Sequence, residues 1–315
     1  MSQKIQGRED GCGFGFDACR HEEDFHGPPP GDRSGWAALP RSAPGSKARS
    51  VTRRITTVDL GKPVLLLTED QLHLFGSWWS AASAGDSSTL IVFVPGFTGH
   101  ARVAAVRRLV VRLRRRADIL VVELRGHGRS EGRSTMGTSE VLDVAAAVEW
   151  GRQRGYRRVV TVGFSFGAAV ALCHAALRRS PDERVDAVAA VSTPSRSFVR
   201  DTPSMRAVHV LVESVPGRIV ARTIFKVRLG PVTSDVPPQP LELMPLIAPT
   251  PVLLVHGLAD HYFPIEHPLA LAAAAGDNAT VWLEPGFAHA ENRLPVALAD
   301  RLGWWLSEAG VPTAR

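Results

Sequence analysis

Cysteine is scarce in this chain, with three residues in 315, at positions 12, 19 and 173. A small odd number builds no full disulfide framework, which fits a reducing compartment. Cys12 and Cys19 lie near His21 and His26, but their spacing matches no common zinc site, so no metal is expected. No run approaches the ~20 apolar residues of a membrane span. The opening MSQKIQGRED also lacks the apolar stretch of a secretion signal. These absences lead us to expect no integral membrane segment and a cytoplasmic location. Lysine occurs only at 4, 47, 62 and 226, so arginine carries most of the positive charge behind the net +6. The densest arginine cluster, 107, 108, 112 and 114–116, interleaves with Val103, Val106, Leu109, Val110 and Leu113. That spacing describes one amphipathic helix with a charged solvent face. Aromatic residues do not alternate with these arginines as base stacking would favour, and no nucleic-acid partner is expected. The dinucleotide glycine pattern and the phosphate-binding P-loop are both missing. We expect no cofactor.

What is present has a clear order. Residues 1–50 hold three consecutive prolines (28–30), many Gly, Ser and Arg, and no sustained periodicity. Such a tail cannot bury enough apolar surface to offset ordering and is expected to be disordered. A hairpin follows, with strands at 63–68 and 72–79 around Glu69-Asp70-Gln71. Short Val/Ile/Leu runs at 89–94, 118–123, 158–163, 186–191, 251–256 and 280–284 then alternate with helical patterns near 101–116, 138–154, 167–179, 265–275 and 293–308. Continuous apolar strands separated by amphipathic helices predict an α/β fold. Its sheet should be mostly parallel, of about eight strands, with the hairpin at its first edge. Residues 51–194 and 246–315 would form this core. Residues 195–245 are too long for a plain crossover and carry Val208, Leu211, Ile219 and Phe225 at roughly helical spacing. They are expected to form a small helical cap inserted over the C-terminal edge of the sheet.

The chemistry centres on Gly163-Phe164-Ser165-Phe166-Gly167, which follows a strand pattern and precedes a helical one. A serine at a strand-to-helix corner between two glycines has the form of a nucleophile elbow. A serine hydroxyl needs a base, and the base needs an orienting group. In this architecture they follow the serine in the order acid, then histidine. The candidate acid is Asp260, in HGLAD after a strand; Glu284 and Asp277 are its rivals. The candidate base is His289, in the loop after the last strand. His100 and His127 precede the serine, and His256 beside Gly257 reads as structural. Oxyanion donors are expected at the Phe166 N–H, just after the serine, and at the Phe97 N–H in Pro95-Gly96-Phe97-Thr98-Gly99. Gly96, Phe164 and His261 are expected to line the substrate site.

Taken together, P-G-F-x-G at 95–99, R-G-H-G-R-S at 125–130, G-F-S-F-G, H-G-x-x-D at 256–260 and the His289 loop resemble the α/β-hydrolase superfamily. The resemblance spans about Pro63 to Trp305. Within the superfamily it is to capped esterases, monoacylglycerol lipases and serine aminopeptidase-like hydrolases. Two positions depart from the pattern: Pro95 stands where a His often precedes the Gly, and Glu123 opens the R-G-H-G segment where Asp is usual. The resemblance implies a serine hydrolase with Ser165 as nucleophile, His289 as base and Asp260 as orienting acid. The substrate would be a small-molecule ester with a hydrophobic acyl or aromatic group, a thioester or amide being the alternative. A non-catalytic binding protein on the same scaffold is the competing class.

Overall fold

The computed structural model describes residues 59–82, 86–231 and 236–309. The expected tail at 1–50, including Cys12, Cys19, His21 and His26, lies outside the described residues. Eight strands form one sheet in the order β1-β2-β4-β3-β5-β6-β7-β8. They are β1 (Lys62–Leu67), β2 (His73–Trp79), β3 (Asp86–Val94), β4 (Ala117–Val122), β5 (Arg158–Phe164), β6 (Ala187–Val191), β7 (Val252–Gly257) and β8 (Ala279–Glu284). The hairpin β1–β2 occupies the expected edge, β2 meets β4 antiparallel, and every later pair is parallel. Helices α1 (Ala104–Leu113), α2 (Glu140–Gln153) and α3 (Phe166–Leu177) precede β6. After β6 come α4 (Pro203–Glu213), α5 (Val215–Thr223) and the single turn α6 (Pro240–Leu243), and then α7 (Glu266–Ala275) and α8 (Val296–Glu308).

Side-chain alternation along each central strand splits the core in two. Leu90, Val92 and Val94 of β3 point to the face covered by α2, α3 and α7, while Ile91 and Phe93 point to the face covered by α1 and α8. All six residues of β4 and all five of β6 are buried, which is why β6 reads as an unbroken apolar run and β4 as one interrupted only by Asp118. In α1, Ala105, Val106, Leu109, Val110 and Leu113 face the sheet, and the arginines between them turn outward.

The R-G-H-G-R-S segment is a buried polar knot. Arg125 is almost fully enclosed; its Nε donates to Asp143 at 2.8 Å and its guanidinium to Asp70 at 2.7 Å. The Arg125 backbone N–H donates to the second Asp143 oxygen at 2.7 Å. Glu123, also buried, accepts from the Arg129 backbone N–H at 2.7 Å and from its guanidinium at 3.0 Å. The longer Glu side chain at this position therefore serves the turn. The knot ties the end of β4 to α2 and to the β1–β2 turn.

Helices α4 and α5 form a helical hairpin, followed by a return segment. Thr202 and Ser214 cap the two helices by accepting from the Met205 and Gly217 backbone amides. Val212, Ala221, Val227 and Leu229 form a small separate core, against which Phe97, Met136, Val208 and Leu211 pack. The return segment bridges the body at His127–Val227 and Ser134–Leu229. The apolar residues of this segment divide between two faces: Val208 and Leu211 turn inward, whereas Val210, Val215, Ile219 and Ile224 are exposed.

Removing Arg125 would strand Asp143, whose side chain has no exposure. Arg125→Ala is therefore expected to cost ~3–5 kcal/mol, the usual penalty for breaking a buried pair from one side. The measure is the shift of the urea midpoint at unchanged slope.

Candidate active site

The last residues of β5 and the first of α3 turn through Ser165, which sits at φ +51°, ψ −117°. A non-glycine residue there is strained by roughly 1–3 kcal/mol. The turn is held because the Ser165 backbone N–H donates to the Val191 carbonyl at 2.8 Å and its carbonyl accepts from Ala168 at 3.0 Å. The flanking glycines are required by space. A Cβ on Gly163 would overlap the Gly167 carbonyl and the Ala168 backbone, and one on Gly167 would overlap the carbonyls of Pro95 and Val94. Strand, helix and oxyanion loop thus meet backbone to backbone.

Three side chains from three separate loops converge on this corner. The Ser165 Oγ lies 2.9 Å from His289 Nε2, and His289 Nδ1 lies 2.8 Å from Asp260 Oδ2. Asp260 follows β7, and its other oxygen accepts from the Tyr262 and Phe263 amides at 2.8 and 3.1 Å. Its side chain is fully buried and that of His289 nearly so. Burial alone would raise the Asp260 pKa. The His289 hydrogen bond and charge and the two amides outweigh it, and Asp260 stays below the ordinary carboxylate range. An ionised Asp260 fixes the proton of His289 on Nδ1 and leaves Nε2 free to accept from the serine.

The residues expected to supply the oxyanion donors, Phe97 and Phe166, line the same cavity as Ser165. Among the described residues, neither the Phe97 nor the Phe166 N–H has a protein acceptor. The two rings meet edge to face at 6.3 Å, so both residues flank one opening. That opening leads to a cavity of about 400 Å³ that Ser165 and His289 share with Gly96, Met136, Leu211 and Leu229. Residues of the α4–α5 hairpin, Val208 and Leu211 among them, line it together with residues of the sheet body.

Two of the expected lining residues lie elsewhere. Phe164 is fully buried and stacks on Phe93 at 4.8 Å, on the α1/α8 face. It shares the parity of Val160 and Val162 along β5, and that alternation sends it into the core. His261 is exposed, its ring tilted against that of Tyr262 at 4.6 Å. Tyr262 takes the inner position, 4.3 Å from the His289 ring, with Phe263 on another side at 5.5 Å. Glu284, the rival acid, instead pairs with Arg301 at 2.9 Å. His256 Nε2 donates to the Phe263 carbonyl, 3.0 Å away, which fits the structural role expected of it.

Other residues at the site carried no sequence signal. Glu140 opens α2 and gathers Ser134 Oγ, Thr135 Oγ1, and the Thr135 and Gly137 amides at 2.6–2.9 Å. This fixes the 134–137 wall of the cavity. Ser192 Oγ accepts from the Ala290 N–H at 3.0 Å and so holds the histidine loop. Among the described residues no helix is long and apolar enough to cross a membrane.

The α/β hydrolase fold family model matches residues 89–214. The solved esterase Pf2001 of Pyrococcus furiosus aligns with a TM-score of 0.62 at 22% identity, over 79% of this chain and 93% of its own. Est1E of Butyrivibrio proteoclasticus, solved with ferulic acid, aligns at 0.54 and 17% identity over 78% of this chain and 96% of its own. A Xanthomonas campestris serine hydrolase described as lacking a lid aligns at 0.53 and 19% identity, over 81% and 96%. At these identities the likeness is one of fold. No curated protein matches the sequence.

Gly167→Ala places a methyl group against two carbonyl oxygens that cannot move without shifting β3. The variant is expected to lose ~3 kcal/mol or more of stability, at the upper end for overpacking. Thermal unfolding of the two proteins side by side measures it.

Proposed function

We propose that this chain, which has the α/β-hydrolase fold and matches that family's model over residues 89–214, is a serine hydrolase that cleaves carboxylic esters through an acyl-enzyme. The observation that carries the reading is the Ser165–His289–Asp260 chain of hydrogen bonds, 2.9 and 2.8 Å long, at the floor of an apolar cavity. Ser165 Oγ attacks the ester carbonyl carbon while its proton passes to His289 Nε2. Asp260 holds the imidazole and supports the imidazolium that forms. The oxygen that gains charge accepts from the Phe97 and Phe166 amides. Collapse of the tetrahedral adduct expels the alcohol, which takes the proton from His289. Water, deprotonated by the same histidine, then releases the acid.

The cavity volume falls within the ~300–1,000 Å³ usual for small-molecule sites. Its walls combine Phe97, Phe166, Met136, Val208, Leu211 and Leu229. These favour a small or medium hydrophobic acyl or aromatic group. We read residues 195–245 as the cap that selects it, and 51–194 with 246–315 as the body that does the chemistry.

Fluorophosphonate is expected to label the intact protein and not Ser165→Ala, read by mass spectrometry of the labelled peptide. A panel of p-nitrophenyl esters of rising acyl length should show turnover with an optimum at medium length. Asp260→Asn should lower kcat by about 10⁴, the loss typical when the histidine is left in the wrong tautomer. Labelling of Ser165→Ala, or turnover of no ester by the intact protein, contradicts the reading.

A further inference from the structure

Glu291 stands two residues beyond His289 in the same loop and takes no part in the proton path above. It is only 7% exposed, and its carboxyl borders the cavity. It lies directly against the oxyanion loop. A Cβ built on Gly96 would stand 3.4 and 3.5 Å from its two oxygens, and one on Gly99 would stand 3.2 Å from Oε1. Its Oε2 has no hydrogen-bond partner among the described residues. A buried carboxylate with an unpartnered oxygen is costly, whereas a carboxylic acid in the same place costs far less and can donate a hydrogen bond.

The charged and titratable groups on the neighbouring segments do little to relieve an anion here. His289 shares its loop. His100 ends the oxyanion loop, with its Nδ1 accepting from the Arg102 N–H at 3.2 Å. On α1, Arg107 is turned to the Arg102 carbonyl and Arg108 to the Asn292 carbonyl. Burial pushes the Glu291 carboxyl above the ordinary glutamate range, against weaker pulls from its own N–H, His289 and the Gly96 N–H.

We propose that Glu291 is a proton-gated positioning residue for the oxyanion loop. As the neutral acid it supports the 96–99 turn and leaves the Phe97 N–H free for the substrate oxygen. As the anion it sets a negative charge beside the place where negative charge develops in the reaction. The sign follows directly: the protonated form is the active one, so activity is lost as pH rises through the Glu291 titration. The inference rests on the serine-hydrolase reading, which Ser165 labelling tests independently.

The experiment compares kcat and KM of the full chain and Glu291→Gln on one p-nitrophenyl ester, from about pH 5 to about pH 10. Like charges within about 10 Å at an effective dielectric near 20 repel enough for about a tenfold rate effect. Glu291→Gln should therefore exceed the unmutated enzyme about tenfold in kcat at the alkaline end and converge with it at the acid end, with KM little changed. A ratio that does not vary with pH overturns the proposal. So does a folded Glu291→Gln that is impaired at every pH, because the neutral isostere should then have sufficed. If the variant fails to fold, the unmutated enzyme supplies the test through an aryl trifluoromethyl ketone, which forms an oxyanion on the serine. Its affinity should weaken toward alkaline pH, and constant or tightening affinity overturns the proposal. An enzyme that does not label at Ser165 would instead point to failure of the underlying reading.

Discussion

The geometry of the site depends on one close approach of backbone to backbone. β5, α3 and the loop after β3 meet where Gly163 and Gly167 leave no room for a side chain against the Ala168 backbone and the Pro95 carbonyl. That contact fixes the angle at which α3 leaves the sheet. It also holds Ser165 at a positive φ and brings Phe97 and Phe166 to the cavity that Ser165 lines. The strain at Ser165 persists because hydrogen bonds on both sides over-determine the turn, to Val191 before it and from Ala168 after it. His289 and Asp260 are added to a corner that is already rigid. Their own loops are braced in turn by Ser192 and by the Tyr262 and Phe263 amides.

The sheet was legible because its central strands are buried on both faces and so appear as plain Val/Ile/Leu runs. The limits expected for β3, β5, β7 and β8 differ from the observed ones by three residues at most. Ser165, His289 and Asp260 were legible because each follows a strand and chain order restricts the choice. Phe164 was misplaced because its neighbour Ser165 drew it toward the cavity, although its parity with Val160 and Val162 assigns it to the core. His261 was misplaced for a related reason. Adjacent residues in a loop diverge, and only the fold shows that Tyr262 turns in and His261 out.

Glu140, Ser192 and Glu291 carry no local pattern at all. Glu140 resembles any acidic residue in the first turn of a helix, yet it anchors a cavity wall through four donors. Ser192 and Glu291 matter through what lies across the fold from them, the histidine loop and the oxyanion loop. The helical hairpin of α4 and α5 was legible from its apolar spacing. Which of its faces looks inward was not, because Val210, Val215, Ile219 and Ile224 make the outer face as apolar as the inner.

The cavity has two kinds of wall, and they differ in how freely they can change. The floor is built from backbone contacts shared with the sheet, so an alteration there disturbs the whole molecule. The roof rests on a core of its own, Val212, Ala221, Val227 and Leu229, joined to the body by the return segment at His127 and Ser134. Side chains such as Val208 and Leu211 can change in size while the strain at the corner and the knot at Arg125 remain untouched. Under the proposed reading, the roof can therefore vary in size more readily than the floor, within the limit that Phe97 and Met136 also pack against its core.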